Sequence, residues 1–310
     1  MKSFKCVYFK VVYMKEIDCY EDLQEMDKDG EYKLVSDIDA SASSCLFERF
    51  VPLYEFRGVF DGNGYTIRNL SVIVDDRFCG FIYNNGGVVK DVVFDSCEFV
   101  QDTDDSSEIL NNFAVGSVVG YNSGLVSNVT VRECNVSGSD FVGGLVGTNR
   151  GDIKGCVVVD CSVSGSDHVG GFVGTNLSGS VKSCGVSGVS IDSSGNSAGF
   201  VHTNKSVHGG SEAVVGFCVV ESVISTGCGN FVGFTELNAG SINHCYSGFE
   251  FDEDEDGAGF VYMDQGTIVG CSCKESLFSE KPEQYLDVGK VCVQERLLKE
   301  FKKEFEFDFD

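Results

Sequence analysis

Apolar side chains between residues 126 and 191 recur at separations of 3, 2, 3 and 2. One set is Val126, Val129, Val131, Cys134 and Val136. The next is Ile153, Cys156, Val158, Cys161 and Val163, and a third is Val181, Cys184, Val186, Val189 and Ile191. A separation of 2 keeps one face of a strand turned inward. A separation of 3 marks a bend that the inward face survives. Short strands joined by bends give this rhythm; a helix or one flat strand does not.

The rhythm is anchored by asparagine. Asn85, Asn122, Asn149, Asn176, Asn204 and Asn238 occupy equivalent places, with Asp264 taking the seventh. Their spacings are 37, 27, 27, 28, 34 and 26 residues. The two long intervals absorb insertions at 101–112 and around 206–214. Four residues before each anchor stands Phe81, Val118, Leu145, Phe172, Phe200, Phe234 or Phe260. Just ahead of that column is a minimal one: Gly80, Ser117, Gly144, Gly171, Gly199, Gly233 and Gly259.

Each repeat alone is too small to fold, whereas stacked coils bury one continuous core. The pattern predicts an all-β chain, a right-handed parallel β-helix of about seven coils with three short strands per coil. Seven coils at ~4.8 Å give a β-rod of roughly 35 Å. Asparagine tolerates a left-handed turn, and its amide can bond the asparagine of the next coil. Residues 1–50 read as an N-terminal cap of short helix plus strand, 51–280 as the repeats, and 281–310 as a C-terminal helical cap with an acidic tail. The caps would cover strand edges that otherwise invite stacking of chains. In the C-terminal segment Val293, Leu297, Leu298, Phe301 and Phe305 have helical spacing, and an oligomer through this segment is the alternative to a cap.

Cysteine alters the chemical picture. Cys156, Cys184, Cys218, Cys245 and Cys271 form one column, and Cys97, Cys134 and Cys161 another. They are expected as buried free thiols acting as small hydrophobes. A metal ladder would need four ligands converging at one point, and no CxxC pair is present. Disulfides between coils are disfavoured because the Cβ atoms point in parallel. Lysines break every apolar run at the N-terminus, leaving neither a signal-peptide core nor a membrane span. Together with the free thiols this favours a reducing setting, cytoplasmic or virion-associated, over secretion.

The chain carries 48 acids against 23 bases, a formal net charge of −25. That balance argues against nucleic acid as a direct partner, since phosphate contacts need Lys and Arg.

Upstream of the repeats the chain reads Glu21 to Met26, then Tyr32 to Asp39, then "FRGVFDGNGYTIRNL" from Phe56 to Leu70, followed by "VGGLVGTNRG" and its relatives. This order of pieces resembles the GLUG-repeat proteins, β-helical modules common in large bacterial and archaeal surface proteins. The resemblance covers about residues 16–275. It implies a β-helix serving as scaffold, adhesin stalk or accessory module. The cysteine content and the N-terminus depart from those relatives.

Few residues offer chemistry. "DEDEDG" at 252–257 puts Asp252, Asp254 and Asp256 at positions 1, 3 and 5 of a calcium loop. Position 12 falls on Met263 where a bidentate Glu is required. These three acids are weak metal candidates, and the loop is expected to bulge outward as a solvated acidic segment. "GNSAG" at 195–199 matches the nucleophile-elbow pattern but lacks its following helix. The histidines 168, 202, 208 and 244 show no ligand spacing; His168 and His202 read as surface or turn residues. An outward strip of Ser127, Asn128, Lys154, Gly155, Lys182, Ser183, Asn243 and His244 is polar and lightly basic. No catalytic or cofactor site emerges and no cofactor is expected. The favoured reading is a non-enzymatic structural or binding rod, presenting loops to a protein or carbohydrate partner. The alternatives are a polysaccharide-acting enzyme beside Lys154 and Lys182, and an acidic mimic of DNA.

Overall fold

The computed structural model describes residues 13–45, 49–102, 113–227, 229–248 and 257–273. The acidic loop with Asp252, Asp254 and Asp256, and the segment 281–310, lie outside the described residues.

One coil runs through Val142–Gly143, Val146–Asn149, Asp152–Lys154, Val157–Val159 and Ser162–Gly165. The next repeats it as Val169–Gly170, Val173–Leu177, Ser180–Lys182, Gly185–Ser187 and Ser190–Ser193. Pairing between them is parallel and in register, with Asn149 beside Asn176, Ile153 beside Val181, Val158 beside Val186 and Val163 beside Ile191. The first two segments each build a seven-stranded sheet, the fifth builds a six-stranded one, and the third and fourth share a larger sheet. The chain is a parallel β-helix.

The three strands expected per coil are divided into five short segments. Left-handed residues make the cuts: Gly155 (φ 64°) and Asp160 (φ 51°) in one coil, Ser183 (φ 54°) and Gly188 (φ 63°) in the next. Each precedes an inward side chain, namely Cys156, Cys161, Cys184 and Val189. One αL residue turns the chain yet returns the next Cβ to the interior, which is the origin of the separation of 3.

The segment expected as an N-terminal cap is continuous with the sheet. Lys15–Ile17 pairs with Glu31–Leu34, which pairs with Val59–Asp61, which pairs with Val88–Asp95. The helix Tyr20–Gln24 buries Tyr20 and Leu23. No helix among the described residues is long and apolar enough to cross a membrane.

The interior is a set of stacked columns. The rings of Phe172 and Phe200 are 4.8 Å apart, Phe200 and Phe234 5.0 Å, and Phe234 and Phe260 4.7 Å, all nearly parallel. Each ring contributes about 1.5–3 kcal/mol through burial, with a further increment from the aromatic contact. The column beside it is small for a steric reason. A Cβ on Gly144 would lie 2.3 Å from the Gly171 carbonyl oxygen, and one on Gly171 equally close to that of Gly199. Ser117 enters this column with its hydroxyl donating to the Gly144 carbonyl at 2.6 Å.

Candidate functional site

Two kinds of polar group need an account: those sealed inside the rod and those presented outside. Inside, the asparagines form one hydrogen-bonded column. Each Nδ2 donates to the Oδ1 of the next coil, from Asn85 to Asn122, Asn149, Asn176, Asn204 and Asn238, at 2.8–2.9 Å. All six are fully buried. The Oδ1 of Asn149 also accepts the Gly151 N–H at 3.2 Å, and its Nδ2 reaches the Gly151 carbonyl at 3.1 Å. The side chain thereby closes the turn and joins the coils. A buried amide left unpaired would be costly, and the column removes that penalty.

The thiols are more than small hydrophobes. The N–H of Cys97 donates to the Sγ of Cys134 at 3.3 Å, and that of Cys134 to Cys161 at 3.4 Å. Cys156 donates to Cys184, and Cys245 to Cys271, in the same way. These N–H groups follow the αL corners, where the strand ladder offers them no carbonyl. Sulfur therefore serves as the corner's acceptor while still filling apolar space. All twelve described cysteines are free. Burial pushes the Cys79 thiol up to about 12 and likewise keeps Cys156 and Cys218 protonated. The interior groups are structural, and reaction partners have no access to them.

Outside, Lys154 and Lys182 are register partners on adjacent strands, and both are exposed. Like charges directly opposed in a sheet are destabilising unless an anion shares them. Ser127 precedes them in the same column, while Gly216 and Asn243 follow. At the adjoining corner His244 stacks on exposed Phe217, ring centroids 5.0 Å apart. At Lys182 lies an open cleft of about 630 Å³, lined also by Arg150, Asp152, Ser178, Ser211 and Glu212 among others. One wall is the insertion at 206–212. The Ser178 hydroxyl accepts the Val207 N–H at 2.8 Å, Ser211 donates to the Ser178 carbonyl at 2.6 Å, and the Ser206 hydroxyl accepts the Ala213 N–H at 3.0 Å. The extra length thus folds back on the rod and carries Glu212 to the cleft.

The histidines divide. His208 and His244 are exposed, and His168 sits half-exposed on a left-handed corner (φ 54°). His202, expected as a surface or turn residue, is instead only 4% exposed. It occupies the register position of Gly147 and Gly174, which the corner of the preceding coil covers. Within "GNSAG", Ser197 is buried in the strand Ser197–Ala198. The cleft was not legible in the sequence beyond Lys182, because the insertion that walls it breaks the repeat.

No family model matches the chain. It is 34% identical over 140 residues, 40% of its length, to Halomucin from Haloquadratum walsbyi. That stretch is 1% of the relative's own length. A crystal structure of a candidate immunoglobulin A1 protease from Bacteroides ovatus superposes with a TM-score of 0.62, covering 86% of this chain and 85% of that one. The two are 17% identical, so the likeness is one of fold.

Proposed function

We propose that this chain is a non-enzymatic binding module, a rigid rod that offers the Arg150–Lys182 cleft to an anionic oligosaccharide. The observation that carries the reading is the registered pair Lys154 and Lys182, of which Lys182 lines the cleft. Two lysines on register partners are relieved by a ligand carboxylate or sulfate that both ammonium groups reach. Arg150 supplies a planar fork for a further anionic group, while Ser178 and Ser211 supply the short polar contacts that sugars use. Rigidity helps, because a preorganised cleft loses little entropy on binding.

The order of pieces resembling GLUG-repeat proteins supports a scaffold or accessory role. The stretch shared with Halomucin, 1% of that protein's length, fits a module within a much longer chain. A glycan array probed with the full chain, and with Arg150→Ala/Lys182→Ala, tests the reading. Binding of acidic glycans that the double variant loses, at unchanged melting temperature, is the expected result. Equal binding by both proteins would remove the cleft from the account. Release of new reducing ends from a bound polysaccharide would favour an enzyme, with Asp152 and Glu212 as its carboxylates.

A further inference from the structure

A second polar site lies at a different corner, just ahead of the first strand segment of a coil. Phe141 and His168 hold this corner in successive coils, both with left-handed backbone, and Asn196 holds it in the next. The second segment carries Gly147, Gly174, His202 and Glu236 at one register position. Each corner residue covers that position in the following coil. A Cβ on Gly174 would fall 2.6 Å from the Phe141 carbonyl carbon. The His202 ring lies 4.8 Å from the His168 ring, and Asn196 donates to Glu236 Oε1 at 3.4 Å. Where earlier coils hold glycine, this part of the rod places an imidazole and then a carboxylate, beneath a second imidazole.

We propose that His168, His202 and Glu236 form a binding site for a divalent transition-metal ion of the zinc class. The strongest observation is His202 itself. Its Nδ1 engages the Thr203 hydroxyl at 3.1 Å, and its Nε2 is buried without a hydrogen-bond partner. Buried polar atoms are otherwise nearly always satisfied, so an orphaned imidazole nitrogen calls for a ligand. Burial, and then the neighbouring His168, push His202 down to about 3, which keeps the ring neutral and able to coordinate.

His168 is set up in a complementary way. Its Nδ1 faces the Asp167 carboxylate at 3.3 Å, close enough for an ion pair though not aligned as a hydrogen bond. A carboxylate behind one ring nitrogen orients the other toward a metal. The ring also stacks on Phe141 at 4.6 Å, which limits its tilt. Glu236 is half-buried, and burial raises its pKa; a cation beside it would offset that desolvation. Asn196 holds one carboxylate oxygen and leaves the other for coordination. Two imidazoles and a carboxylate suit zinc, cobalt or nickel, and leave a position open for water or for a partner's side chain. The donor atoms are not yet gathered at one point. Coordination therefore requires the His168 and Glu236 side chains to turn toward His202, and both are partly exposed.

Cobalt(II) reports such a donor set through its visible absorption. Metal-free full-length protein titrated with Co²⁺ should bind one equivalent, which Zn²⁺ then displaces. His202→Gly restores the residue that the repeat carries at 147 and 174, so the coil is expected to keep its fold; thermal unfolding without metal checks this. That variant and Glu236→Gln should each weaken binding by at least about the 10–100-fold typical of a lost outer-shell partner. His208→Ala and His244→Ala should leave it unchanged. No uptake of either metal by the parent protein would overturn the proposal. So would undiminished binding by folded His202→Gly, or a sulfur-to-cobalt charge-transfer band that persists in it, which would assign the metal to the thiols.

Discussion

Asn238 donates its side-chain amide to a carboxylate, that of Asp264, at 2.7 Å, whereas the five links before it run from amide to amide. A carboxylate only accepts, so the column stops where the acid stands. Asp264 also accepts the Gly266 N–H at 3.1 Å, and with it closes the last turn as an asparagine would. At the other end the register partner of Asn85 is Phe56, which has no amide to offer.

Position within this column should therefore decide the effect of a mutation. Asn176→Ala leaves an amide donor of Asn149 and an acceptor of Asn204 unmatched in the interior. At about 1–3 kcal/mol for each orphaned group, stability should fall by about 3 kcal/mol or more. Asp264→Asn keeps the acceptor and should change stability by less than about 1 kcal/mol. Denaturant titration of the two variants checks the contrast, and similar midpoints would contradict it.

Phe200 sits between Phe172 and Phe234 in the ring stack. Phe200→Ala should lower stability by about 3–5 kcal/mol, as truncation of a buried ring does. Lys154→Ala, on the outer face, should stay within about 0.5 kcal/mol. Calorimetric unfolding of both would show whether the stack or the outer charge matters more to the fold.

Two glycines separate packing from backbone strain. Gly171 lies outside the left-handed region but has no room, since an added Cβ meets a carbonyl oxygen at 2.3 Å. Gly64 has a left-handed backbone (φ 82°) and open space around it. Gly64→Ala should lower stability by about 1–2 kcal/mol, the strain of the left-handed conformation. Gly171→Ala should exceed that, because neighbouring backbone must move. Thermal melts followed by circular dichroism would rank them.

The chain has fifteen cysteines, and alkylation under denaturing conditions without reductant should label nearly all of them. In the native protein, among the described residues, Cys19, Cys45 and Cys273 should react first, since the other nine are buried. More than two disulfides recovered by mass spectrometry would sink the assignment of the columns as free thiols. Cys184→Ala should destabilise by about 1–3 kcal/mol, since it leaves a gap and deprives the Cys156 N–H of its acceptor at 3.5 Å.

The stacked coils were legible because their inward residues recur at fixed places, and burial tolerates little variety there. Phe200 and Asn176 could be assigned to columns from spacing alone. The corners were less legible. Gly155, Ser183, Phe217 and His244 share a left-handed conformation but no side-chain chemistry, so residue type does not announce that position. The sulfur acceptors were hidden for a related reason: the pattern records that Cys134 is small and apolar, and is silent on which N–H needs its lone pair. His202 was misplaced because a polar residue in a glycine column reads as exposure, whereas the overhanging corner of the previous coil covers it. The outer cleft depends on how the 206–212 insertion folds back, which periodicity cannot describe.

Because Asn149 presents to Asn176 the same face that Asn122 presents to Asn149, the interior does not record which coil it belongs to. Excising residues 141–167, one 27-residue period, would bring Asn122 onto Asn176 with the same donor and acceptor meeting. The rod's length is thus a copy number, adjustable by whole units through duplication or loss. Individuality resides in what interrupts the count, such as the 206–212 wall and the histidine and glutamate set where glycine would otherwise stand.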